Sequence, residues 1–280
     1  MKSVLVTGNG KSGSWKIRGE QLGDAISAQV IPHAIPRTRY GLGVIVKRVD
    51  PRSVAAMHAQ RIPIVLDVVD GWPQPLGNLW SRDECMAWLR THLKTLKPYA
   101  VVAATRAMKA DIEELGYKGQ VLALPHHARP GMVVNPIRER VEIVGYEGGV
   151  QYLGKWLPIV EAECKARGWR LVLNPPGLAE LDIVLALREA DGYAPRMWKS
   201  NVKLANGQGS GTPFIGCPEA GYRETDNGAA LWANSRRDLG LAFDQLTTWT
   251  MRTIVAEQLR DAAPKLADVA RTYREWLESL

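Results

Sequence analysis

Short runs of aliphatic and β-branched residues recur along the first half of the chain, at 4–7, 29–31, 43–47, 64–69, 101–104 and 121–124. Their length and composition predict strands. Between several of them the apolar residues fall three and four apart. That spacing predicts helices over 17–28, 82–96 and 106–116, the last one stopped at Gly116 and Gly119. Strands and helices alternating in this way predict a doubly wound parallel sheet. Residues 125–140 break the pattern with three prolines and Arg138-Glu139-Arg140, and read as a linker. The alternation then restarts, with strands at 141–144, 169–173, 183–187 and 212–216, a helix running to residue 167 and a helical piece around 201–207. A loop runs through Pro195; from Ser235 the chain is helical, is interrupted at Pro264, and resumes over 266–280. The expected fold class is α/β: two Rossmann-like domains, residues 1–138 and 139–280, facing a cleft, the second closed by a long C-terminal helix.

Composition narrows the function classes. With 46% hydrophobic and 23% charged residues in 280, the chain has enough apolar material for two cores and too much for a disordered segment. Cys85, Cys164 and Cys217 have no CxxC spacing and no neighbouring histidine cluster, so they read as small core residues of a reducing compartment. No apolar stretch approaches the roughly 20 residues that span a bilayer. Met1 and Lys2 lead directly into the first strand without a signal-peptide core, so a soluble, cytoplasmic protein with no stable membrane insertion is expected. The net charge of +7 is uneven: residues 1–140 carry 20 basic and 11 acidic side chains, the remainder 16 and 18. A basic first half suits a polyanionic partner, or is a well-solvated surface.

Three stretches carry chemistry. Gly8-Asn9-Gly10-Lys11-Ser12-Gly13-Ser14 follows the first strand but lacks the spacing of a P-loop, and no acid on a second strand completes a dinucleotide fingerprint. It reads as an amide-rich loop for a phosphate or an acceptor, or as a tight βα turn. Asp67-Val68-Val69-Asp70-Gly71-Trp72-Pro73 puts Asp70 at a strand's carboxyl end, where it either handles an acceptor hydroxyl or caps a turn. Asp67, nearer the strand, reads as structural. Finally, Lys199, Ser200 and Lys203 at a helix start combine two cations, a hydroxyl and free amides, a setting for a diphosphate.

The stretch Lys199-Ser200-Asn201-Val202-Lys203-Leu204-Ala205-Asn206, with Gly211-Thr212-Pro213 after it, resembles GT-B glycosyltransferases, specifically the large family with K-x-N-K-L-x-E-A-x-A-x-G-x-P-V-I. The segment from Pro218-Glu219 to Gly228 is similar to that family's G-G-x-x-E-x-x-x-x-G, and residues 67–73 to its D-x-x-D-x-W-P. The resemblance implies a nucleotide-sugar, a UDP-sugar, as donor substrate and no cofactor. It implies donor contacts from Gly148, Gly149, Lys199, Ser200, Asn201, Lys203, Asn206 and Glu219, with Lys199 and Lys203 neutralising the leaving diphosphate. The family's two donor-binding glutamates, eight positions apart, fall on Trp198 and Asn206, so both carboxylates are missing. Asp-x-Asp is absent from the sequence, which points to metal-independent transfer.

The first half is then the acceptor side. Lys11, Ser12, Gly13, Ser14, Trp15, Arg18, Trp72 and His126 are its contact candidates; Lys16, Arg37 and Arg39 add charge, and His33 is a weaker candidate base. Trp15 and Trp72 are expected on loops able to stack on a base or sugar, or else to pack. His126 and His127 have no further ligands spaced for a metal. Residues 14–23 are similar to small bacteriophage glycosyltransferases, some of which modify hydroxymethylated pyrimidines in DNA. Asp70 and Lys199 are the expected catalytic residues of such an enzyme. The alternatives are an enzyme acting on a glycan or lipid carrier, and an inactive sugar-nucleotide or nucleic-acid binding protein.

Overall fold

The computed structural model describes residues 3–70, 79–189 and 192–280. The first sheet contains β1 (Val4–Gly8), β2 (Gln29–Val30), β3 (Leu42–Val46), β4 (Ile64–Asp67), β5 (Ala100–Ala103) and β6 (Gln120–Ala123), in the order β2-β1-β3-β4-β5-β6. The second contains β7 (Ile143–Tyr146), β8 (Arg170–Leu173), β9 (Ile183–Ala186), β10 (Phe214–Gly216) and β11 (Leu231–Trp232), in the order β11-β10-β9-β7-β8. All of these pairings are parallel. Central strands of such sheets are covered on both faces, and so they appear in the sequence as continuous apolar runs.

The order of each sheet reverses once. β1 leads to β2 on one side and β3 on the other, and β7 likewise separates β8 from β9. A crevice opens beyond the carboxyl ends of the strands at each such reversal. The loop after β1, the residue after β3 and the loops after β7 and β9 border these crevices.

Helices cover the sheets, and their starts follow local chemistry. A π-helical segment, Trp15–Gln21, runs into α1 (Leu22–Ala25) where one continuous helix is expected over 17–28. Its wider turn accommodates Trp15, whose ring lies so close to Gly19 that a Cβ there would meet it at 2.4 Å. Asp50 caps α2 (Pro51–Ala59), a helix that the apolar pattern does not reveal because only Ser53 and Met57 are buried. Ser81 and Glu84 form a capping box on α3 (Arg82–Leu96), and Thr105 caps α4 (Arg106–Glu114). In the second half α5 (Trp156–Ala166), α6 (Tyr193–Met197), α7 (Val202–Ser210), α8 (Ala220–Arg223), α9 (Arg236–Thr247) and α10 (Trp249–Asp261) follow. The short α6 lies where a loop is expected and α8 where no element is, and both have too few turns to show a period.

The terminal helix α11 (Leu266–Ser279) departs from the expected division at residue 138. Val269, Ala270, Tyr273 and Leu277 belong to the apolar cluster of the first sheet, with Val6, Leu22, Val44 and Leu124. The chain therefore crosses back after α10, and Pro264 accepts a hydrogen bond from the Ala128 N–H of the outgoing linker at 2.8 Å.

A second crossing is made by side chains. Ala194 and Trp198 pack into the other apolar cluster of the first half. The Trp198 indole N–H (2.7 Å) and the Tyr193 hydroxyl (2.8 Å) both donate to the buried Asp111 on α4, which also accepts from Arg82 at 2.7 Å. Asp111→Ala strands the buried Trp198 indole N–H and the half-buried Tyr193 hydroxyl, and is expected to lower the urea-unfolding free energy by about 2–4 kcal/mol. Retention of wild-type stability would show that this junction does not hold the halves together.

Candidate active site

The carboxyl ends of the two sheets meet at a cavity of about 600 Å³. From the first half it is lined by Gly13, Ser14, Lys16, Ile17, Gln21, Val69 and Asp70. The linker contributes His126, His127 and Arg129, and the second half Glu147, Gly148, Ser200, Val202, Lys203 and Asn206. Asp70 is its electrostatic centre. One carboxylate oxygen accepts from Lys47 Nζ at 2.5 Å and the other from Lys199 Nζ at 2.9 Å, so a three-charge chain spans the cleft. Burial raises the pKa of Asp70, but Lys199 and then Lys47 outweigh it and hold the carboxyl well below the usual range. Burial depresses the Lys199 ammonium, and Asp70 offsets part of that.

Strained backbone places these groups. Lys47 and Val69 have φ of +60° and +67°, a region that non-glycine residues and above all β-branched ones avoid. Each centres a three-residue turn: Arg48 N–H donates to Val46 O at 2.7 Å, and Asp70 N–H to Val68 O at 2.8 Å. Lys47 N–H also donates to Asp67 O at 2.8 Å. Two adjacent strand ends thus turn sharply side by side and aim an ammonium and a carboxylate at each other. Strain of about 1–3 kcal/mol per residue persists where surrounding structure overrides it, and concentrates at functional sites.

The second half answers with cations. Lys203, on the first turn of α7, lies 4.0 Å from the Tyr146 ring centroid and against Gly148, where a Cβ would come within 3.3 Å of its Nζ. Glycine at 148, with φ +133°, leaves that space open. Burial first, and then Arg188, lower the Lys203 pKa to about 7, against partial compensation from Glu219 and Glu147. Arg188 pairs with the buried Glu219 at 2.9 Å, and both line a neighbouring cavity of about 500 Å³ with Lys155, Arg196 and Asn234.

His126 is buried in the cavity wall, with Nδ1 lacking a hydrogen-bond partner among the described residues. Burial, Arg18 and His127 depress its pKa far enough that the ring stays neutral and offers a lone pair. Asn201 fixes it in place by bonding both backbone groups of His126, at 2.7 and 3.2 Å.

The cavity thus gathers Asp70, Lys203, Ser200, Asn206, Gly148, Gly13, Ser14 and His126, with Lys199 at its edge on Asp70. Other expected contacts lie elsewhere. Trp15 is buried in the first core, its indole N–H donating to Glu20 at 3.0 Å rather than standing on a loop. Arg18 is equally buried, ion-paired to Asp67 at 3.8 Å and bonded to Leu124 O, so its charge is not presented to a surface partner. Lys11 and Ser12 are exposed beside the cavity, with Ser12 Oγ accepting from Trp15 N–H at 3.1 Å. Asn201 holds the linker, Gly149 packs against Gln151, and Glu219 faces Arg188; Trp72 lies outside the described residues. Sequence patterns miss Lys47, Arg129, Glu147 and Arg188. Lys47 ends the strand expected over 43–47 and Arg188 directly follows the one expected over 183–187, the signal by which they are found. Among the described residues no group of three His, Cys, Asp or Glu side chains is placed to hold a metal, and no helix is long and apolar enough to cross a membrane.

No protein-family model matches the chain, and no curated protein is similar to it in sequence. Solved structures are similar in fold. HepE of Anabaena, solved with UDP and glucose, superposes with a TM-score of 0.72 at 11% identity, covering 100% of both chains. A glycosyltransferase from Rickettsia africae gives 0.63 at 11% identity over 99% of this chain and 98% of its own. The lipopolysaccharide outer core galactosyltransferase WaaB gives 0.60 at 10% identity over 99% and 100%. The chain has the GT-B fold of these glycosyltransferases.

An anion beside Lys203 favours its charged form, so binding pyrophosphate should raise that pKa and take up a proton above pH 7. Below the free-state value of about 7 the lysine is already charged and affinity is maximal. Above it, affinity should fall by up to about tenfold per pH unit until the bound-state pKa is reached. Calorimetry in buffers of different ionisation enthalpy measures the proton uptake, and Lys203→Met should abolish it.

Proposed function

We propose that the protein is a glycosyltransferase that moves a sugar from a nucleotide-sugar, a UDP-sugar, to a hydroxyl of an anionic acceptor. The observation that carries this reading is the placement of Asp70 from one sheet against Lys199 of the other half, with Lys203 close by, across one cavity. Transfer breaks the bond between the anomeric carbon and the diphosphate, so charge develops on the leaving oxygen. Lys199 and Lys203 neutralise it there without a metal.

Asp70 explains how donor and acceptor chemistry are linked. While Lys199 is bonded to it, Asp70 is a poor base. A bound diphosphate competes for Lys199, leaving Asp70 with Lys47 alone and raising its basicity, so that the carboxylate orients the acceptor hydroxyl and takes its proton. Neutral His126 supplies a further acceptor in the wall. Either stereochemical course is compatible with these roles.

The acceptor we favour is DNA bearing a hydroxymethylated pyrimidine. Lys11, Arg37 and Arg39 are exposed on the loops beyond β1 and β2, and Lys16 is exposed on the π-helical segment that follows the first of them. These loops are tied together, with His33 N–H donating to Gly8 O at 3.0 Å and Ala34 N–H to Thr7 Oγ1 at 2.9 Å. They form a basic rim on the acceptor side, suited to phosphates, while the base is extruded toward Asp70.

The test is transfer to hydroxymethylcytosine or hydroxymethyluracil DNA from a panel of nucleotide-sugars, read by mass spectrometry of digested nucleosides. A sugar mass added only to the hydroxymethyl base is expected. Release of nucleoside diphosphate without that mass would replace the acceptor by a glycan or a lipid carrier. Silence on both counts would favour a binding protein. Lys199→Ala and Asp70→Ala should reduce turnover at least about 100-fold, and Lys47→Met by less, because Lys47 orients the carboxylate but meets neither the leaving diphosphate nor the acceptor proton. Full activity in either of the first two removes that residue from the mechanism.

A further inference from the structure

Two carboxylates line the cavity among the described residues, Asp70 and Glu147. Asp70 is taken up by two ammonium groups, whereas Glu147 stands on the second half of the site with no role in the transfer step. Its backbone is pinned on both sides. Tyr146 O accepts from Asn174 N–H at 2.7 Å, and Gly148 N–H donates to Asn174 Oδ1 at 2.7 Å. Its carboxylate is oriented by Arg129, which pairs with one oxygen, and by Asn206, whose amide donates to the other at 3.3 Å. Asn206 is itself buried and fixed, accepting from the Arg129 backbone N–H at 3.2 Å. An acid at position 206 would repel Glu147; the amide instead presents it.

From this geometry we infer that Glu147 is the ribose-recognising residue of the donor site, binding the vicinal 2′- and 3′-hydroxyls of a nucleoside diphosphate. The assignment rests on the nucleotide-sugar reading above and extends it to a residue that the sequence motifs do not mark. A carboxylate has about four lone-pair sites, and the two bonds it makes here leave room for two hydroxyl donors. The oxygens of a cis-diol match the spacing of the two carboxylate oxygens. Position agrees with chemistry: ribose is joined directly to the α-phosphate, so its partner must stand beside the phosphate cation. Gly148 packs against Lys203, and Glu147 is the residue before it. Arg129 comes from the linker, so ribose binding would also engage the segment that joins the halves.

The experiment compares binding of UDP and 2′,3′-dideoxyuridine 5′-diphosphate to the whole chain by calorimetry, in wild type and Glu147→Gln, with pyrophosphate as a third titrant. Hydrogen bonds from hydroxyls to a carboxylate correspond to a wild-type preference for UDP of about 10- to 100-fold. Glu147→Gln should cut that preference to about threefold or less while the variant still binds pyrophosphate, which also establishes that it is folded. A preference that survives in Glu147→Gln, or is missing from a wild type that binds UDP, overturns the assignment alone. A wild type that binds pyrophosphate but neither nucleotide overturns the nucleotide-sugar reading and this assignment together.

Discussion

Trp198 decides how the two halves meet at the cavity. Its indole is buried in an apolar cluster of the first half and bonded to Asp111, although the chain around it belongs to the second half. The next residue is Lys199, so anchoring the tryptophan delivers an ammonium to Asp70. Asn201, two residues further, grips the backbone of His126. Within four residues the second half contributes an anchor, a cation and a clamp. α7 then begins at Val202 with Lys203 on its first turn. The terminal helix reinforces the arrangement from the other end by returning to the first sheet.

The electrostatics of the cleft depend on that anchoring. A carboxylate between two lysines stays ionised, while burial makes both Lys199 and Lys203 less willing to hold their protons. On the proposed reading such a site is under-neutralised beside Lys203 and gains from an incoming polyanion. The left-handed backbone at Lys47 and Val69 belongs to the same design. Relaxing either turn would swing Lys47 or Asp70 out of line, and the buried strands behind them resist that movement.

The family resemblance marks positions 198 and 206 as places for acids, and the structure gives each another task. Trp198 became the anchor between halves. Asn206 became the support of Glu147, so a carboxylate still enters the cavity, from the loop after β7 rather than from α7. Trp15 and Arg18 show the opposite case. Both fall in the right segment for an acceptor loop, yet the π-helical turn rotates them inward, where Gly8 and Gly19 make room for the indole and Asp67 receives the guanidinium.

By itself the sequence determined the two parallel sheets and most strand and helix positions. Buried strands must be continuous runs of apolar residues and their turns must be polar, and both signals are local. It also determined the Lys199–Asn206 motif and Asp70 at a strand end. Only the tertiary structure decided that α11 joins the first sheet, that Lys47 completes the charge chain, and that Arg129, Glu147 and Asn206 form one group. Lys47 and Lys199 are more than 150 residues apart in the chain and meet through Asp70 because two separately folded sheets present their carboxyl ends to each other. No local pattern encodes that meeting: it follows from how the halves pack, and the packing is set by a tryptophan and a terminal helix whose partners lie in the other half.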